Sequence, residues 1–289
     1  MVIHLIDGTY ELFRHFYGLR RFKKTDPPFG AVTGVLRTVV QLIHEGGTHV
    51  AVATDHVIES FRNALWPGYK TGAGIERALL AQFHPLEDAL AEIGVVVWPM
   101  VEFEADDALA AGAHFAAQDA RVEKVCIWTP DKDLAQCVVG QRVVQIDRRA
   151  KQIRDEQGVR AKFGVAPEFI PDYLALVGDS ADGYPGISGL GPRTAATLIN
   201  RHGPIEKFPS SVLGGNLEHA LLFKHLATLR LDAPLFEHSL KPLMPDAEVI
   251  RDVEQLRWNG PTKSFASTAA KIGDPTLAKR VATLANRIH

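Results

Sequence analysis

The chain reads as an α/β protein: a central, mainly parallel sheet flanked by helices, with a helical insertion and a helical C-terminal region. Three features carry that reading. Val- and Ile-rich runs alternate with amphipathic helical stretches through the first half of the 289 residues. Four of these runs end in an acidic residue or run straight into one: VIHLID at Asp7, THVAVATD at Asp55, VVVWPMVEFE at Glu104 and KVCIWTPD at Asp131. As parallel strands they would bring four carboxylates to the sheet edge where α/β proteins bind ligands. From about Phe163 the pattern turns helical and poor in strands.

The first strand closes at Asp7 and leads into an aromatic stretch, Tyr10 to Tyr17, then a basic, proline-containing loop, Arg20 to Pro28. GAVTGVLRTVVQLIHEGG is an amphipathic helix stopped by Gly46 and Gly47. The second strand ends at Asp55. Between Ser60 and Gly94 lies a helical region longer than a plain βα unit needs, with Leu79, Leu80, Phe83, Leu86, Leu90 and Ile93 at helical spacing and Gly72 and Gly74 breaking its start. Val95 to Met100 forms a third strand, EADDALAAGAHFAAQ a helix, KVCIWTPD the fourth strand and RVVQID (142–147) a fifth. The expected division is a sheet domain over 1–162, with its insertion at about 60–93, and a helical region over 163–289.

Net charge is −2, an unpromising balance for a protein that binds phosphate. Setting aside the nine acids singled out below leaves +7, so the remaining surface is basic. The two cysteines, Cys126 and Cys137, form no CxxC or zinc-spaced set, which fits a reduced cytoplasmic protein. No run approaches the roughly 18 apolar residues of a membrane span, and Met1 leads directly into a strand rather than a signal peptide.

EFEADDALA is the strongest chemical signal. Glu104, Asp106 and Asp107 fall in the first turn of a helix, where acids also serve simply to complement the macrodipole. TPDKDLAQ sets Asp131 and Asp133 two apart at a strand end, a spacing equally common in turns. In VGDSADGYPGISGLGPRTAATLI, Asp179 and Asp182 precede a glycine-rich hairpin but lack the alternating acids of a calcium-binding EF-hand. Two carboxylates about 4 Å apart at an effective dielectric of about 20 repel by roughly 4 kcal/mol, so so many together imply divalent cations. Gly189-Leu190-Gly191 follows no strand and lacks a third glycine, so a dinucleotide fingerprint is the poorer reading. A helix-hairpin-helix at about 174–202 fits better, with Gly186, Ser188, Gly189, Gly191, Arg193 and Thr194 gripping phosphates through amides and a cation.

Taken together, IDGTYELFRHFYG, GAVTGVLRTV, FRNALWPGYK, EFEADDALA, TPDKDL and the VGDSADG hairpin resemble the bacterial and phage 5′ nucleases: the 5′-3′ exonuclease domain of DNA polymerase I and the flap endonucleases. The likeness runs from Val2 to about residue 240. It implies a PIN-like nuclease core and a helical DNA-binding subdomain with a helix-three-turn-helix. It also implies a metal set of Asp7, Asp55, Glu104, Asp106, Asp107, Asp131, Asp133, Asp179 and Asp182, all present, holding two or more Mg²⁺ or Mn²⁺ ions. Asp7, Asp55, Glu104 and Asp106 are assigned to a first ion and the remaining five to a second.

The resemblance further places Lys70 and Arg62 on a helical arch as scissile-phosphate contacts, and K⁺ at the hairpin. Tyr10 and Tyr69 become candidates for stacking on terminal bases. The implied substrate is DNA with 5′ flaps, nicks or overhangs, handled by a stand-alone monomer that works beside a separate DNA polymerase and ligase. One departure stands out: after Lys70 the family has a small residue or two, an arginine and prolines, whereas this chain has Thr71-Gly72-Ala73-Gly74. Arg77 is then the candidate substitute. Two rival readings are a PIN-like ribonuclease, which needs no duplex-binding hairpin, and a DNA-structure-binding protein without catalysis, which needs no complete acid set.

Overall fold

The computed structural model describes residues 1–24, 27–235 and 251–286. The chain begins β1 (Val2–Asp7), α1 (Gly8–Gly18), a π-helical turn (Leu19–Lys23), α2 (Gly30–His44) and β2 (His49–Asp55). The inserted region follows as α3 (Arg62–Leu65) and α4 (Arg77–Leu80), then come α5 (Phe83–Glu92), β3 (Val96–Met100), α6 (Ala105–Gln118) and β4 (Lys124–Trp128). A 3₁₀ turn (Asp133–Cys137) leads to β5 (Val143–Asp147) and β6 (Gln152–Arg154), then α7 (Glu156–Phe163), α8 (Ile170–Val177) and α9 (Pro192–His202). The remaining described helices are α10 (Ser210–Leu213), α11 (Leu217–Ala227), α12 (Phe265–Lys271) and α13 (Pro275–Ala285). None of the described helices is long and apolar enough to cross a membrane.

The sheet order is β3-β2-β1-β4-β5-β6, parallel except for β6. This is a doubly wound order, and it dictates where a site can form. After β3 the chain crosses through α6 to β4 on the far side of β1, so the strand order reverses between β1 and β4 and a crevice opens at their C-terminal ends. Ile3, Leu5 and Ile6 of β1 are buried, as continuous apolar strands between two helical layers require. One layer packs α2 and α5 on the sheet; the other packs the alanine-rich face of α6. A third core joins α8, α9 and α11 around Tyr173, Tyr184 and Phe223.

Three expectations are corrected. The last helices do not extend the helical region: Trp258, Phe265, Leu277 and Val281 join the core formed by α2 and α5. Trp258 Nε1 donates to Ile93 O at 2.6 Å, which fastens this segment behind the sheet. Secondly, only part of 60–93 is an insertion, because Phe83, Leu86 and Leu90 make α5 an ordinary crossover helix buried against α2. Thirdly, β4 ends at Trp128, leaving Asp131 in the loop beyond it. Residues 236–250 and 287–289 of the expected helical region lie outside the described residues.

Candidate active site

Asp7 ends β1 and caps α1: Oδ1 accepts the Tyr10 amide at 2.8 Å and Oδ2 accepts Thr129 Oγ1 at 3.0 Å. The next residue must be glycine, because a Cβ on Gly8 would lie 2.8 Å from Ala53 O and 2.7 Å from Val52 Cγ1. That close approach of α1 to β2 brings Asp55 alongside, where its Oδ1 accepts the Ala105 amide at the start of α6 at 2.8 Å. Asp106 projects from the same helix start, and its carboxylate has no hydrogen-bond partner among the described residues. Asp131 accepts the Asp133 amide at 2.9 Å. Asp133, Asp179 and Asp182 each offer an oxygen within 4.8 Å of the others, which joins the helical region to the sheet edge.

Electrostatics bind these groups into one field. Burial, opposed by the hydrogen bonds and reinforced by Asp55 and Asp131, pushes Asp7 up to about 7. Burial and the charges of Asp131 and Asp7 hold Asp106 well above the usual carboxylate range. Asp133 is raised in the same way by burial, Asp131, Asp182 and Asp179. Burial also raises Asp55 and Asp182, although Lys70 pulls both down. Acids held against their ionised form by burial first and by one another second make a site that a cation would stabilise.

Two lysines supply the only close ammonium groups among the described residues. Lys70 Nζ lies 2.7 Å from Glu104 and 3.2 Å from Asp182. Burial opposes its charge, yet Glu104 and Asp182 hold its pKa well above the ordinary value. Lys132, which sequence reasoning passed over, lies 2.7 Å from Asp179. Lys70 is fixed through its backbone, its amide donating to Asp182 O at 2.9 Å while Asn63 Nδ2 donates to its carbonyl. Gly183, at φ +85°, is essential to that contact, since a Cβ there would fall 2.0 Å from Gly68 O.

Arg62 and Asp107 do not belong to this field as expected. Arg62 is 1% exposed and grips Asp107 with both Nη atoms at 2.7 Å, while Nε donates to Leu226 O at 2.8 Å. Asp107 is fully buried and also accepts the amides of Glu104 at 3.0 Å and Arg230 at 2.9 Å. Its oxygens are all engaged, so it is a helix-start anchor rather than a ligand, and Arg62 has no path to a phosphate. Arg62 also lies 3.2 Å from Glu104. Burial alone would raise Glu104, but Lys70 and Arg62 hold it below the ordinary value.

Tyr69 is corrected too: it is buried, with its hydroxyl 3.3 Å from Glu104, and its ring is not free to stack on a base. Tyr10 stays half-buried beside Asp7. Arg77, the candidate arch substitute, lies at the start of α4 with no ion pair among the described residues. In the hairpin, Ser188, Gly189, Gly191, Arg193 and Thr194 are all exposed at the start of α9, with Pro192 at its first turn, while Gly186 is half-buried. Thr129 and Tyr184 are buried groups at the site that pattern alone did not single out; the TPDKD and ADGYPG runs held the signal.

Similarity to known proteins agrees with this geometry. Residues 2–164 match the family model for the 5′-3′ exonuclease N-terminal resolvase-like domain, and residues 165–263 that for the 5′-3′ exonuclease C-terminal SAM fold. A 5′-3′ exonuclease of Aquifex aeolicus is 31% identical over 261 residues, covering 86% of this chain and 89% of the relative. DNA polymerase I of Pseudomonas aeruginosa is 31% identical over 297 residues, covering 93% of this chain but 32% of the polymerase. The bacteriophage T5 flap endonuclease, solved with DNA and metal ions, superposes with a TM-score of 0.61 over 99% of this chain and 98% of its own, at 17% identity. That last likeness establishes the fold, and with the two family models spanning residues 2–263, the chain belongs to the 5′-3′ exonuclease family of nucleases.

Proposed function

We propose that the chain hydrolyses DNA phosphodiesters near 5′ ends, at flaps, nicks or overhangs, with two divalent cations, Mg²⁺ or Mn²⁺, held by the acidic edge. The observation that carries this reading is Asp133 Oδ1, a buried carboxylate oxygen without a hydrogen-bond partner among the described residues, inside a trio whose oxygens lie within 4.8 Å. An anionic oxygen in that position costs several kcal/mol unless a cation meets it. The residues fit the group: Asp7, Asp55 and Asp106 would hold one ion, joined by Glu104 once Lys70 turns from it to a phosphate, and Asp131, Asp133, Asp179 and Asp182 the other. When bound, such ions activate water and stabilise the charge on the leaving oxygen.

The chain's own residues do the rest. Lys70, 27% exposed at the rim of the site, can exchange its carboxylate partners for a substrate phosphate. The exposed start of α9 offers backbone amides and Arg193 to the duplex backbone, contacts that position the substrate without reading its sequence. K⁺ at that hairpin, and a polymerase and ligase acting before and after cleavage, extend the same reading. A ribonuclease would share the acidic edge, but the exposed hairpin favours duplex DNA.

The test is cleavage of a 5′-flap DNA and a matched RNA in Mg²⁺, in Mn²⁺ and in chelator. Cleavage of the DNA only with metal, lost in Asp106→Asn and Asp131→Asn while flap binding survives, is the expected result. Full activity in chelator would overturn the metal reading, and preferential cleavage of the RNA would overturn the substrate.

A further inference from the structure

Asp133 Oδ1 is not the only orphan at the acidic edge. Tyr184 is 1% exposed, and its hydroxyl is also buried without a hydrogen-bond partner among the described residues. The ring is firmly held. It stacks on Phe223 at 5.6 Å and 24°, and the Tyr184 backbone pairs with Asp179 in both directions, its amide donating at 3.0 Å and its carbonyl accepting at 2.9 Å. The charges of Asp133, Asp182 and Asp179 all bear on the hydroxyl. A phenol O–H is by its chemistry a hydrogen-bond donor.

A packed core offers cheaper ways to fill this place, since phenylalanine would make the same stack without stranding a hydroxyl. Leaving a buried hydroxyl unpaired is costly, and native structures rarely accept that without a water or an ion. The stranded acceptor, Asp133 Oδ1, belongs to the trio of acids, and the stranded donor is carried by the residue whose backbone pairs with Asp179 of that trio. A water brought in by a cation at the trio would meet both, accepting from the phenol and donating to the carboxylate. An open cleft of about 380 Å³ borders Lys132, Asp179 and Tyr184, on the Asp179 side of the trio.

We propose that Tyr184 is a positioning residue for the cation of the Asp133, Asp179 and Asp182 trio, its hydroxyl donating to a water of that ion's hydration shell and thereby fixing the ion's place. This rests on the metal reading above. It also assigns a cause to the tyrosine that packing does not supply, and it predicts opposite effects of one oxygen atom on the metal-free and metal-loaded protein.

The experiment is Tyr184→Phe, which removes only the hydroxyl, with Mn²⁺ alone as the probe. Mn²⁺ binding is followed by titration calorimetry, and thermal unfolding is measured in chelator and in saturating Mn²⁺. The expected result is a five- to tenfold loss of affinity at the weaker class of Mn²⁺ sites, a metal-free Tm equal to or above wild type, and a smaller Mn²⁺-induced rise in Tm. Unchanged Mn²⁺ affinity overturns the assignment. So does a lower metal-free Tm, which would mean that the hydroxyl is already satisfied without metal. Absence of any Mn²⁺ binding by the wild-type protein would instead bring down the metal reading itself, so the two failures are distinguishable.

Discussion

Asp106 and Asp107 are adjacent in the first turn of α6, and replacing each with asparagine is expected to move stability in opposite directions. In Asp107→Asn one oxygen becomes an NH₂ group. If Oδ1 is replaced, the new donor faces Arg62 Nη2 and the Arg230 amide; if Oδ2, it faces Arg62 Nη1 and the Glu104 amide. Either way two hydrogen bonds become donor-donor contacts, and a buried guanidinium loses its counter-charge. Hydrogen bonds to charged groups are worth about 1.5–3 kcal/mol each, and breaking one partner of a buried ion pair costs about 3–5 kcal/mol. A loss of about 4 kcal/mol is therefore expected, a fall in Tm of roughly 8–16 °C for a chain of this size.

Asp106→Asn instead removes a charge repelled by Asp131, Asp7 and Asp133 and only partly compensated by Lys70. A like-charge contact is worth up to about 4 kcal/mol at an effective dielectric of about 20, so after the lost Lys70 attraction a net gain of about 1–3 kcal/mol remains. The assay is thermal unfolding in chelator, paired with flap cleavage at a temperature where both variants are folded. Asp106→Asn should be more stable and inactive; Asp107→Asn should be unstable but retain cleavage while folded. Equal losses of stability, or an inactive but stable Asp107→Asn, would refute the division of roles.

Metal should stabilise the protein more as pH rises. The folded-state pKa of Asp7 is raised to about 7, so its contribution to metal-free stability is full below about pH 4 and is lost as pH rises through 7. Bound cations require the charged form, and the Mg²⁺-induced gain in Tm should grow through that window, while His4 and His15, lowered to about 4 and about 3 by burial first, cancel in the difference; a gain that stays flat from pH 5 to 8 would count against it. Lys70→Ala should slow single-turnover flap cleavage by at least about tenfold, equivalent to about 1.4 kcal/mol, and a normal rate would remove Lys70 from the chemistry. Arg193→Ala should weaken duplex binding and reduce its salt slope by about one unit or less with little change in the saturated rate; a lost rate at unchanged affinity would place Arg193 in catalysis instead.

The sheet edge was legible because period and chemistry coincide there. Apolar runs closing on Asp7 and Asp55 leave little freedom about where those carboxylates emerge, and β1 and β2 end at those residues. Asp107 was misread because an acid in the first turn of a helix serves ligand and anchor equally well, and its deciding partner, Arg62, lies 45 residues away. FRNALWPGYK likewise reads as one surface segment, yet Arg62 and Tyr69 turn inward while Lys70 faces the acids. The last helices show the same limit, since an amphipathic pattern over 275–285 specifies a buried face without saying which core covers it. β6, three residues long, falls below what strand patterning can register.

The buried Arg62 junction has a consequence for how the site is assembled. Arg62 Nε and Nη2 donate to Leu226 O and Thr228 O at the end of α11, Arg230 N returns to Asp107, and Gln136 bridges Asp133 O and Ala227 O. These bonds hold α11 to the start of α6 and to the loop after β4. Since α11 packs against α8, and α8 leads directly into Asp179 and Asp182, the same bonds set those two acids against Asp133. Asp7, Asp55, Glu104 and Asp106 come from the sheet side, so the acidic edge exists only when both layers are docked. The stability of that docking depends on a fully paired ion pair, whereas the edge it creates is left under mutual repulsion, a division that lets fold and cation binding be perturbed separately at adjacent residues.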